Sequence, residues 1–246
     1  MRLDELTVVL PTRNEARNIL AFLQSLPPQL FLIVVDAGQD ATAELIETHR
    51  PERTVVLRQP STVTEARQIG AEAARTAWLL FSDADIIFSR TYFDRLRRQS
   101  NCGAIYGPKL SRDEFVTYYR WFARGQGVSH RLGIPAASGS NLLVSRSAFY
   151  NTGGFDLRLT CNEDSELVWR IKRGGYPVVF DPHLVVYARD HRRLRYGPVR
   201  KTAHSVLRCL LLYYNLMPTR WRSHDWGYWS QSGQIDQPGA TAPVKG

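Results

Sequence analysis

The chain has 246 residues, of which 43% are hydrophobic and 22% are charged, as in one large globular α/β domain or two small ones. Its formal charge of +9 at pH 7 indicates an anionic partner, such as a nucleotide, a nucleic acid or an acidic membrane surface. The three cysteines are scattered, which argues against a secreted domain held together by disulfides. The sequence has neither an apolar run long enough to span a membrane nor a signal-peptide pattern. Together these features predict a cytoplasmic protein.

Short apolar strands alternate with amphipathic helices over the first half of the chain. Strands are predicted at 6–10, 30–35, 54–57 and 78–81, and helices at 14–25, 42–48 and 63–75. The strands are near-continuous apolar runs, as in a sheet that is covered on both faces. Because the connections are short, the alternation predicts a mostly parallel α/β sheet with right-handed crossovers and flanking helices.

The second half of the chain alternates less regularly. Helices are predicted at 92–98, 114–124, 163–173 and 202–217, and strands at 104–106, 142–144 and 177–180. The aromatic-rich helix at 114–124 is expected to pack into the core. Over 230–246 the composition is polar and small without periodicity, which predicts a disordered tail after a single folded domain at 1–229.

Two acids, Asp83 and Asp85, directly follow the predicted strand at 78–81. Ligands of parallel α/β sheets collect at the carboxyl ends of strands, and residues two apart on an extended chain project to the same side. Two carboxylates placed together repel each other unless a cation lies between them, and Mg²⁺ is held by one or two carboxylates plus phosphate oxygens. The pair therefore indicates a divalent-metal site, with a solvated turn as the alternative.

Two other predicted strands are also followed by acids, at Glu15 and Asp36. Neither a G-x-G-x-x-G dinucleotide fingerprint nor a P-loop is present. Acids at strand ends, without a glycine-rich loop to bind phosphates, suit a nucleotide whose phosphates are neutralised by a metal ion. A basic nucleic-acid-binding module is a rival suggested by the charge, but its usual motifs are absent.

Six segments, in this order along the chain, resemble glycosyltransferase family 2. They are VVLPTRNEARNI (8–19), VVDAGQDAT (34–42), EARQIGAEAA (65–74), LLFSDADIIF (79–88), SGSNLLVSRSAFYNTGGFD (138–156) and NEDSELVWRIKRGGY (162–176). The resemblance covers roughly residues 6–190 and implies a GT-A (Rossmann-like) fold. It also implies a nucleotide-sugar-binding half at 1–110, an acceptor-binding half at 111–195 and a C-terminal helical extension at 196–229.

On the donor side, the resemblance implies that Pro11, Thr12 and Glu15 line the nucleoside pocket. Asp36 would accept a hydrogen bond from the base and Arg67 would help to hold it, with uridine as the expected base. The loop after Asp36 is one residue shorter than in the usual family form. Without the resemblance, Glu15 could simply stabilise a helix start, Asp36 could be a turn residue and Arg67 could lie on a helix surface.

For the metal and the diphosphate, the resemblance implies that Asp83 binds the ribose and, with Asp85, the metal ion and the diphosphate. The expected ion is Mn²⁺ or Mg²⁺. His191 would be a further ligand of the metal or the diphosphate. It lies in a basic stretch of the sequence, so a solvated surface histidine is the alternative.

On the acceptor side, the resemblance implies that Asp164 is the general base, with Glu163 beside it, and that Gly139 and Gly154 shape the acceptor pocket. Neighbouring residues on a helix point about 100° apart, so both acids cannot aim at one proton. Glu163 is therefore expected to contact the acceptor or a neighbouring arginine. Without the resemblance, the two acids could only stabilise a helix start, and Gly154 could only permit a positive φ.

The implied reaction is the metal-dependent, inverting transfer of a sugar from a nucleoside diphosphate to an acceptor hydroxyl. A retaining transferase, a nucleotidyltransferase on the same fold and an inactive scaffold are the alternatives.

Residues 189–222 contain nine Arg or Lys and one acid, and apolar and aromatic residues stand among them. This mixture predicts peripheral contact with an anionic membrane on its cytoplasmic face, and a lipid or lipid-linked acceptor. The alternative is that the helix there only packs on the domain.

Overall fold

The computed structural model describes residues 1–97, 101–191, 194 and 198–217. The strands within these residues are β1 Leu6–Thr12, β2 Phe31–Asp36, β3 Thr54–Arg58, β4 Trp78–Ser82, β5 Ile86–Phe88, β6 Ala104–Tyr106, β7 Lys109–Leu110, β8 Asn141–Ser145, β9 Val178–Phe180 and β10 Val186–Ala188. A 3₁₀ helix, Leu3–Glu5, precedes β1, and the α-helices are α1 Ile19–Gln24, α2 Thr42–His49, α3 Val63–Ala73, α4 Tyr92–Leu96, α5 Val116–Arg131, α6 Arg146–Asn151, α7 Glu163–Arg173 and α8 Pro198–Tyr213. The predicted tail at 230–246 and the last part of the extension lie outside the described residues.

Seven strands form the main sheet, in the order β3-β2-β1-β4-β8-β6-β9. The first four strands in this order are parallel, β8 is antiparallel to both of its neighbours, and β9 is parallel to β6. One apolar core, which includes α1, packs on one face of the sheet, and a second, which includes α3 and α7, packs on the other. The mostly parallel α/β sheet predicted from the sequence is confirmed, and its burial on both faces explains the continuous apolar strands.

The strand register brings four loops to one edge of the main sheet. Thr12 at the end of β1 pairs with Asp36 at the end of β2, so both following loops leave the sheet together. Ser82 at the end of β4 pairs with Asn141 at the start of the antiparallel β8. The loop that precedes β8 therefore lies beside the acidic turn at 83–85, although more than 50 residues separate them in the sequence.

A small second sheet, in the order β5-β10-β7, follows the acidic turn. It was not predicted, because its two- and three-residue strands pair with partners that lie far away in the sequence. The main-chain N–H of Arg189, just after β10, donates to the carbonyl oxygen of Asp85 at 2.8 Å. This sheet therefore brings residues of the segments 109–113 and 189–191 close to the acidic turn.

Three helix predictions need correction. Helix α1 begins at Ile19 rather than at residue 14, because Asn14 has a left-handed φ of 57° and its Oδ1 accepts a hydrogen bond from the Gln39 N–H instead. Helix α5 begins at Val116 and runs on to Arg131, and Trp121 on it is exposed rather than packed into the core. Helix α8 begins at Pro198 and ends at Tyr213, four residues earlier than predicted at both ends.

Candidate active site

A buried arginine from α3 joins the two halves of the candidate site. Nη2 of Arg67 donates to Asp83 Oδ1 at 2.8 Å, and Nη1 donates to Glu163 Oε1. Burial alone would lower the pKa of Arg67, but the nearby carboxylates of Asp83, Glu163 and Asp164 outweigh it, and the pKa is raised. A buried charge needs such partners. One cation therefore links α3, the turn after β4 and the start of α7.

The two acids of the first turn of α7 have different partners. Glu163 is buried and contacts Arg67, which is one of the two positions expected for it. Asp164 accepts a 2.6 Å hydrogen bond at Oδ2 from the main-chain N–H of Gly139, and one at Oδ1 from the N–H of Ser165. The loop before β8 and the helix start thus fix the orientation of the Asp164 carboxylate.

Burial raises the pKa of both acids. For Glu163, the negative charge of Asp164 adds to the effect of burial, and Arg67 opposes it. For Asp164, burial is again the largest cause, opposed by Arg67 and by the amides of Gly139 and Ser165. A carboxylate that is desolvated and holds a proton more firmly than usual is also a stronger proton acceptor once ionised. Both acids therefore hold a proton more firmly than an ordinary carboxyl group does.

Both candidate acceptor-side glycines lie close against side chains of α3. A Cβ on Gly139 would stand 2.4 Å from Arg67 Cζ. Gly154 has a φ of 68°, and a Cβ there would stand 2.6 Å from Gln68 Oε1, which accepts the Phe155 N–H at 2.9 Å. Neither position has room for a side chain, so these two glycines let both acceptor-side loops approach α3.

The carboxylates of the two acids in the turn at 83–85 are partly exposed to solvent. Ala84 is buried, whereas the side chains of Asp83 and Asp85 are 28% and 23% exposed. Strand β4 ends at Ser82, so a turn places the two acids, not the two-residue period of a strand. Lys109 Nζ lies 3.4 Å from both carboxylate oxygens of Asp85, so each acid already has a cationic partner.

The acidic turn fits a divalent ion that arrives with a nucleotide. Among the residues that the structure describes, no group of three His, Cys, Asp or Glu side chains could hold a metal ion. Asp83 and Asp85 offer oxygen ligands only, as Mg²⁺ and Mn²⁺ prefer, and such ions take their other ligands from phosphates and water. The turn therefore suits an ion that is completed by a diphosphate, not a closed protein cage.

The predicted nucleoside-side residues meet where β1 and β2 end. Thr12 Oγ1 donates to Asp36 Oδ1 at 2.7 Å in a buried position, and Pro11 is the next residue back along β1. The main-chain N–H of Glu15 donates to Thr42 Oγ1 at 2.9 Å. The loops after β1 and β2 are thus joined into one wall.

Arg67 does not reach this wall. Its two Nη atoms contact Asp83 and Glu163, whereas the Oδ1 atom of Asp36 accepts from Thr12 and from the Gly38 N–H. In the structure Arg67 therefore contacts these two acids and not Asp36, and its contact with the base stays a prediction. A buried guanidinium is best compensated by carboxylates, and those that it meets come from the turn after β4 and the start of α7.

His191 is buried, not solvated as in the alternative interpretation. Its Nε2 lies 2.9 Å from Asp113 Oδ1, and its Nδ1 lies 3.3 Å from the hydroxyl of Tyr119. Hydrogen bonds from Ser111 and from the main chain at Glu114, followed by that of His191, lower the pKa of Asp113. Both ring nitrogens therefore already have partners outside the acidic turn. No sequence pattern singled out Asp113, Tyr119 or Lys109.

Helix α8 packs beside α7 along much of its length. The side-chain amide of Asn162, just before α7, donates to Cys209 Sγ at 3.0 Å, and further along the rings of Trp169 and Tyr213 lie 5.2 Å apart. The inner side of α8 therefore covers the helix that carries the two acids. No helix in the described part of the chain is both long and apolar enough to cross a bilayer.

Comparison with known proteins places this geometry among sugar transferases. The family described as Glycosyl transferase family 2 matches residues 7–153. Succinoglycan biosynthesis protein ExoA of Rhizobium meliloti (strain 1021) is 28% identical in a match of 207 residues that covers 72% of this chain and 62% of that protein. Pre-mycofactocin glycosyltransferase of Mycobacterium tuberculosis is 26% identical in a match of 207 residues that covers 76% of this chain and 43% of that protein. The chain thus spans only part of the length of both relatives.

Solved structures share the fold at low sequence identity. A mannosyltransferase, PcManGT from Pyrobaculum calidifontis, solved with GDP-Man and Mn²⁺, has a TM-score of 0.62 and 18% identity, and the match covers 95% of this chain and 76% of that one. S. aureus TarS 1–349 with UDP-GlcNAc has a TM-score of 0.61 and 14% identity, with 94% and 76% covered. These likenesses confirm the α/β, Rossmann-like GT-A fold.

Proposed function

The chain belongs to glycosyltransferase family 2, and we propose that it transfers a sugar from a nucleoside diphosphate sugar to an acceptor hydroxyl with inversion. The observation that carries the proposal is the ion pair of Arg67 with both Asp83 and Glu163. Through it, a donor-side acid and the acid pair of α7 are held in one fixed arrangement. Such fixed positioning of donor and base is what a displacement reaction requires.

In the proposed reaction, Asp164 takes the proton of the acceptor hydroxyl while that oxygen forms a bond to the anomeric carbon. The bond from this carbon to the diphosphate oxygen breaks, and the nucleoside diphosphate leaves with the electron pair. Attack from the side opposite the leaving group inverts the anomeric carbon. Asp164 is the base because Glu163 is already paired with Arg67, and because two amides orient the Asp164 carboxylate.

We propose that Asp83 and Asp85 hold Mn²⁺ or Mg²⁺, which would neutralise charge on the leaving diphosphate. Lys109 lies 3.4 Å from Asp85 and adds a second positive charge at the same place. Burial and the charge of Asp85 raise the pKa of the Tyr119 hydroxyl, and His191 Nδ1 lies 3.3 Å from this hydroxyl. Metal and lysine together would make the acidic turn attractive to a diphosphate.

We propose uridine as the base to be tested first. Within the described residues, the hydrogen bonds of the Asp36 carboxylate end on Oδ1, which leaves Oδ2 to accept a base N–H. Uracil and guanine both have such a donor. Structures of the same fold hold UDP-GlcNAc in TarS and GDP-Man in PcManGT, so the choice between the two bases needs a direct measurement.

A panel of nucleotide sugars tests the proposal. The thermal midpoint of the chain is measured with UDP-linked and GDP-linked sugars, each with Mn²⁺ and with EDTA. We expect one nucleotide family to raise the midpoint only with the metal, because a ligand that binds the folded state stabilises it. The donor found in this way is then incubated with acceptor hydroxyls, and the anomer of the product is determined by NMR. A retained anomer, pyrophosphate release, or no stabilisation by any nucleotide sugar would contradict the proposal.

A further inference from the structure

Helix α8 exposes aliphatic side chains to the outside. Val206, Leu207 and Leu210 are 51%, 55% and 42% exposed, and Tyr214 and Leu216 beyond the helix are exposed too. The same helix buries Arg208, which is 2% exposed, on its inner side. Leu212 and Tyr213 of α8 also pack inward, against Trp169. Helix α8 therefore has apolar side chains on both sides, whereas a helix on the surface of a water-soluble domain is polar on its outer side. Contact with an apolar environment would therefore be favourable for the outer side of α8.

Helix α5 also has exposed apolar side chains. Trp121, Val128 and Leu132 at its end are 66%, 53% and 75% exposed, and their spacing places them on one side of the helix. The two helices touch, because the hydroxyl groups of Tyr118 on α5 and Thr202 on α8 lie 3.0 Å apart. We call the surface formed by Trp121, Val128, Leu132, Val206, Leu207 and Leu210 the α5–α8 face.

The charged residues in the sequences of α5 and α8 are all basic. Helix α5 contains Arg120, Arg124 and Arg131, all exposed, and no acid. The guanidinium of Arg124 lies 5.5 Å from the ring centroid of Trp121. Helix α8 likewise contains no acid, and residues 189–222 contain nine Arg or Lys against one acid. Exposed apolar side chains among basic ones are the pattern of a helix that lies in a bilayer interface.

We propose that the α5–α8 face docks onto an anionic lipid bilayer, with both helices lying along the headgroup region. Charge complementarity selects this occupant, because the cytoplasmic leaflet is anionic and attracts each nearby Lys or Arg. A second copy of the chain fits less well, since pairing two such faces would bring basic groups against basic groups. The three cysteines are free thiols, which suits a protein on the cytoplasmic side.

Docking would bring the acid pair of α7 close to the bilayer surface. Asn162, next to Glu163, contacts Cys209 on the inner side of α8, while Leu207 and Leu210 of the same helix face outward. This step rests on the proposed function, in which the chain transfers a sugar to an acceptor hydroxyl. If the active site lies at the bilayer, the acceptor is an amphiphile whose hydroxyl lies at the membrane surface. A lipid-linked acceptor has this chemistry.

Vesicle co-sedimentation tests the docking. The full chain is spun with vesicles of phosphatidylcholine alone and with vesicles that contain phosphatidylglycerol, at low and at high salt. We expect binding to the anionic vesicles at low salt, weaker binding at high salt because of screening, and little binding to phosphatidylcholine. No co-sedimentation with anionic vesicles at low salt would overturn the proposal.

Matched variants locate the contact. Leu207→Glu should lower vesicle affinity roughly tenfold or more, since it removes an inserted apolar group and adds repulsion. Val55→Glu is its control, because Val55 is 50% exposed on β3, an edge strand of the main sheet, and is not part of the α5–α8 face. Likewise, Arg120→Glu with Arg124→Glu should weaken binding, and Arg75→Glu with Arg90→Glu, at exposed positions elsewhere, should weaken it much less. Equal loss in face variants and controls would overturn the proposal.

Two further measurements distinguish bilayer docking from self-association and from donor binding. Sedimentation velocity reports whether the chain self-associates, and a dimer that Leu207→Glu dissociates would overturn the proposal, because a second copy would then cover the face. Nucleoside diphosphate affinity, measured without vesicles, should be the same in wild type and Leu207→Glu. Donor binding without vesicle binding would defeat the docking alone, whereas vesicle binding without donor binding would defeat the proposed function alone.

Discussion

The main-chain N–H of Gly139 donates a 2.6 Å hydrogen bond to Asp164 Oδ2, which joins the loop before β8 to the first turn of α7. The bond depends on the absence of a side chain at 139, because Arg67 occupies the space that a Cβ would need. One glycine therefore serves two groups at once, since it orients the candidate base and leaves room for the guanidinium that pairs with Glu163 and Asp83.

The first prediction is that Gly139→Ala reduces both stability and activity. The added methyl group would lie 2.4 Å from Arg67 Cζ, so the loop or the guanidinium must move, at roughly 1–3 kcal/mol of unfolding free energy. The loop shift would also break the hydrogen bond to Asp164. Urea denaturation and kcat for sugar transfer measure the two effects.

Gly125→Ala is the control for this variant. Gly125 lies inside α5 and a Cβ there meets nothing within 4 Å, so alanine should stabilise the helix by about 0.5–1 kcal/mol and leave kcat unchanged. If Gly139→Ala proves as stable and as active as Gly125→Ala, the close contact with Arg67 has no functional meaning.

Sequence patterns predicted the main sheet because its strands are long, apolar and bounded by turns. They also predicted which loops carry the acids, since parallel strands end at one edge. They predicted an arginine as one of two partners for Glu163, but not that this arginine is Arg67 or that it also pairs with Asp83. The Lys109 contact with Asp85 was not predicted either, because these contacts join residues from separate elements. The antiparallel β8, which brings Gly139 to the acidic turn, was equally hidden, since an apolar run does not reveal its direction in a sheet.

The second prediction concerns the two acids of α7. Asp164→Asn keeps the size of the side chain but removes the basic oxygen, so transfer should fall by roughly 10²–10⁴-fold, the usual contribution of general-base catalysis. Donor affinity should hardly change, because Asp164 contacts Gly139 and Ser165, not the donor-side acids. Single-turnover rates and donor calorimetry measure the two quantities.

Glu163→Gln is the companion variant and should reduce transfer less. Its carboxylate contacts Arg67 and not an amide of the acceptor-side loop, so it acts on the reaction by positioning. Full activity in Asp164→Asn together with an inactive Glu163→Gln would reverse the two roles. Activity in both variants would place the base elsewhere.

The third prediction is metal linkage at the acidic turn. If Asp85 binds a divalent ion, wild-type chain should bind a nucleoside diphosphate more tightly with Mn²⁺ than with EDTA, because the ion bridges carboxylate and phosphate oxygens. Asp85→Ala should make the two calorimetric Kd values coincide. Lys109→Met should raise both Kd values together relative to wild type, since Lys109 contributes charge but no metal ligand.

Asp94→Ala is the control for the metal series, because Asp94 is an exposed acid on α4. Its metal dependence should match that of the wild type. A wild-type Kd that is the same with Mn²⁺ and with EDTA would remove the metal from the proposed function, whatever the variants do.

The last prediction is the pH dependence of stability. Burial raises the pKa of Asp164 in the folded chain, above about 3.9 for an unfolded aspartate. A raised pKa means that folding binds a proton, so this contribution to stability is fully present below the unfolded pKa and is lost as the pH rises through the folded one. Asp164→Asn has no carboxyl group at this position and so does not lose this stability. Its unfolding free energy should therefore increase relative to that of the wild type as the pH rises from about 4 toward neutrality. Asp181→Asn is the control of opposite sign, because the hydrogen bond from Arg95 and other favourable contacts outweigh burial and lower the pKa of Asp181. Its deficit should grow as the pH rises from the folded pKa to about 3.9, the unfolded value, and then stay constant. Urea denaturation in EDTA at several pH values measures both differences. A deficit for Asp164→Asn that grows with pH, as for Asp181→Asn, would mean that pairing with Arg67 outweighs burial at the candidate base.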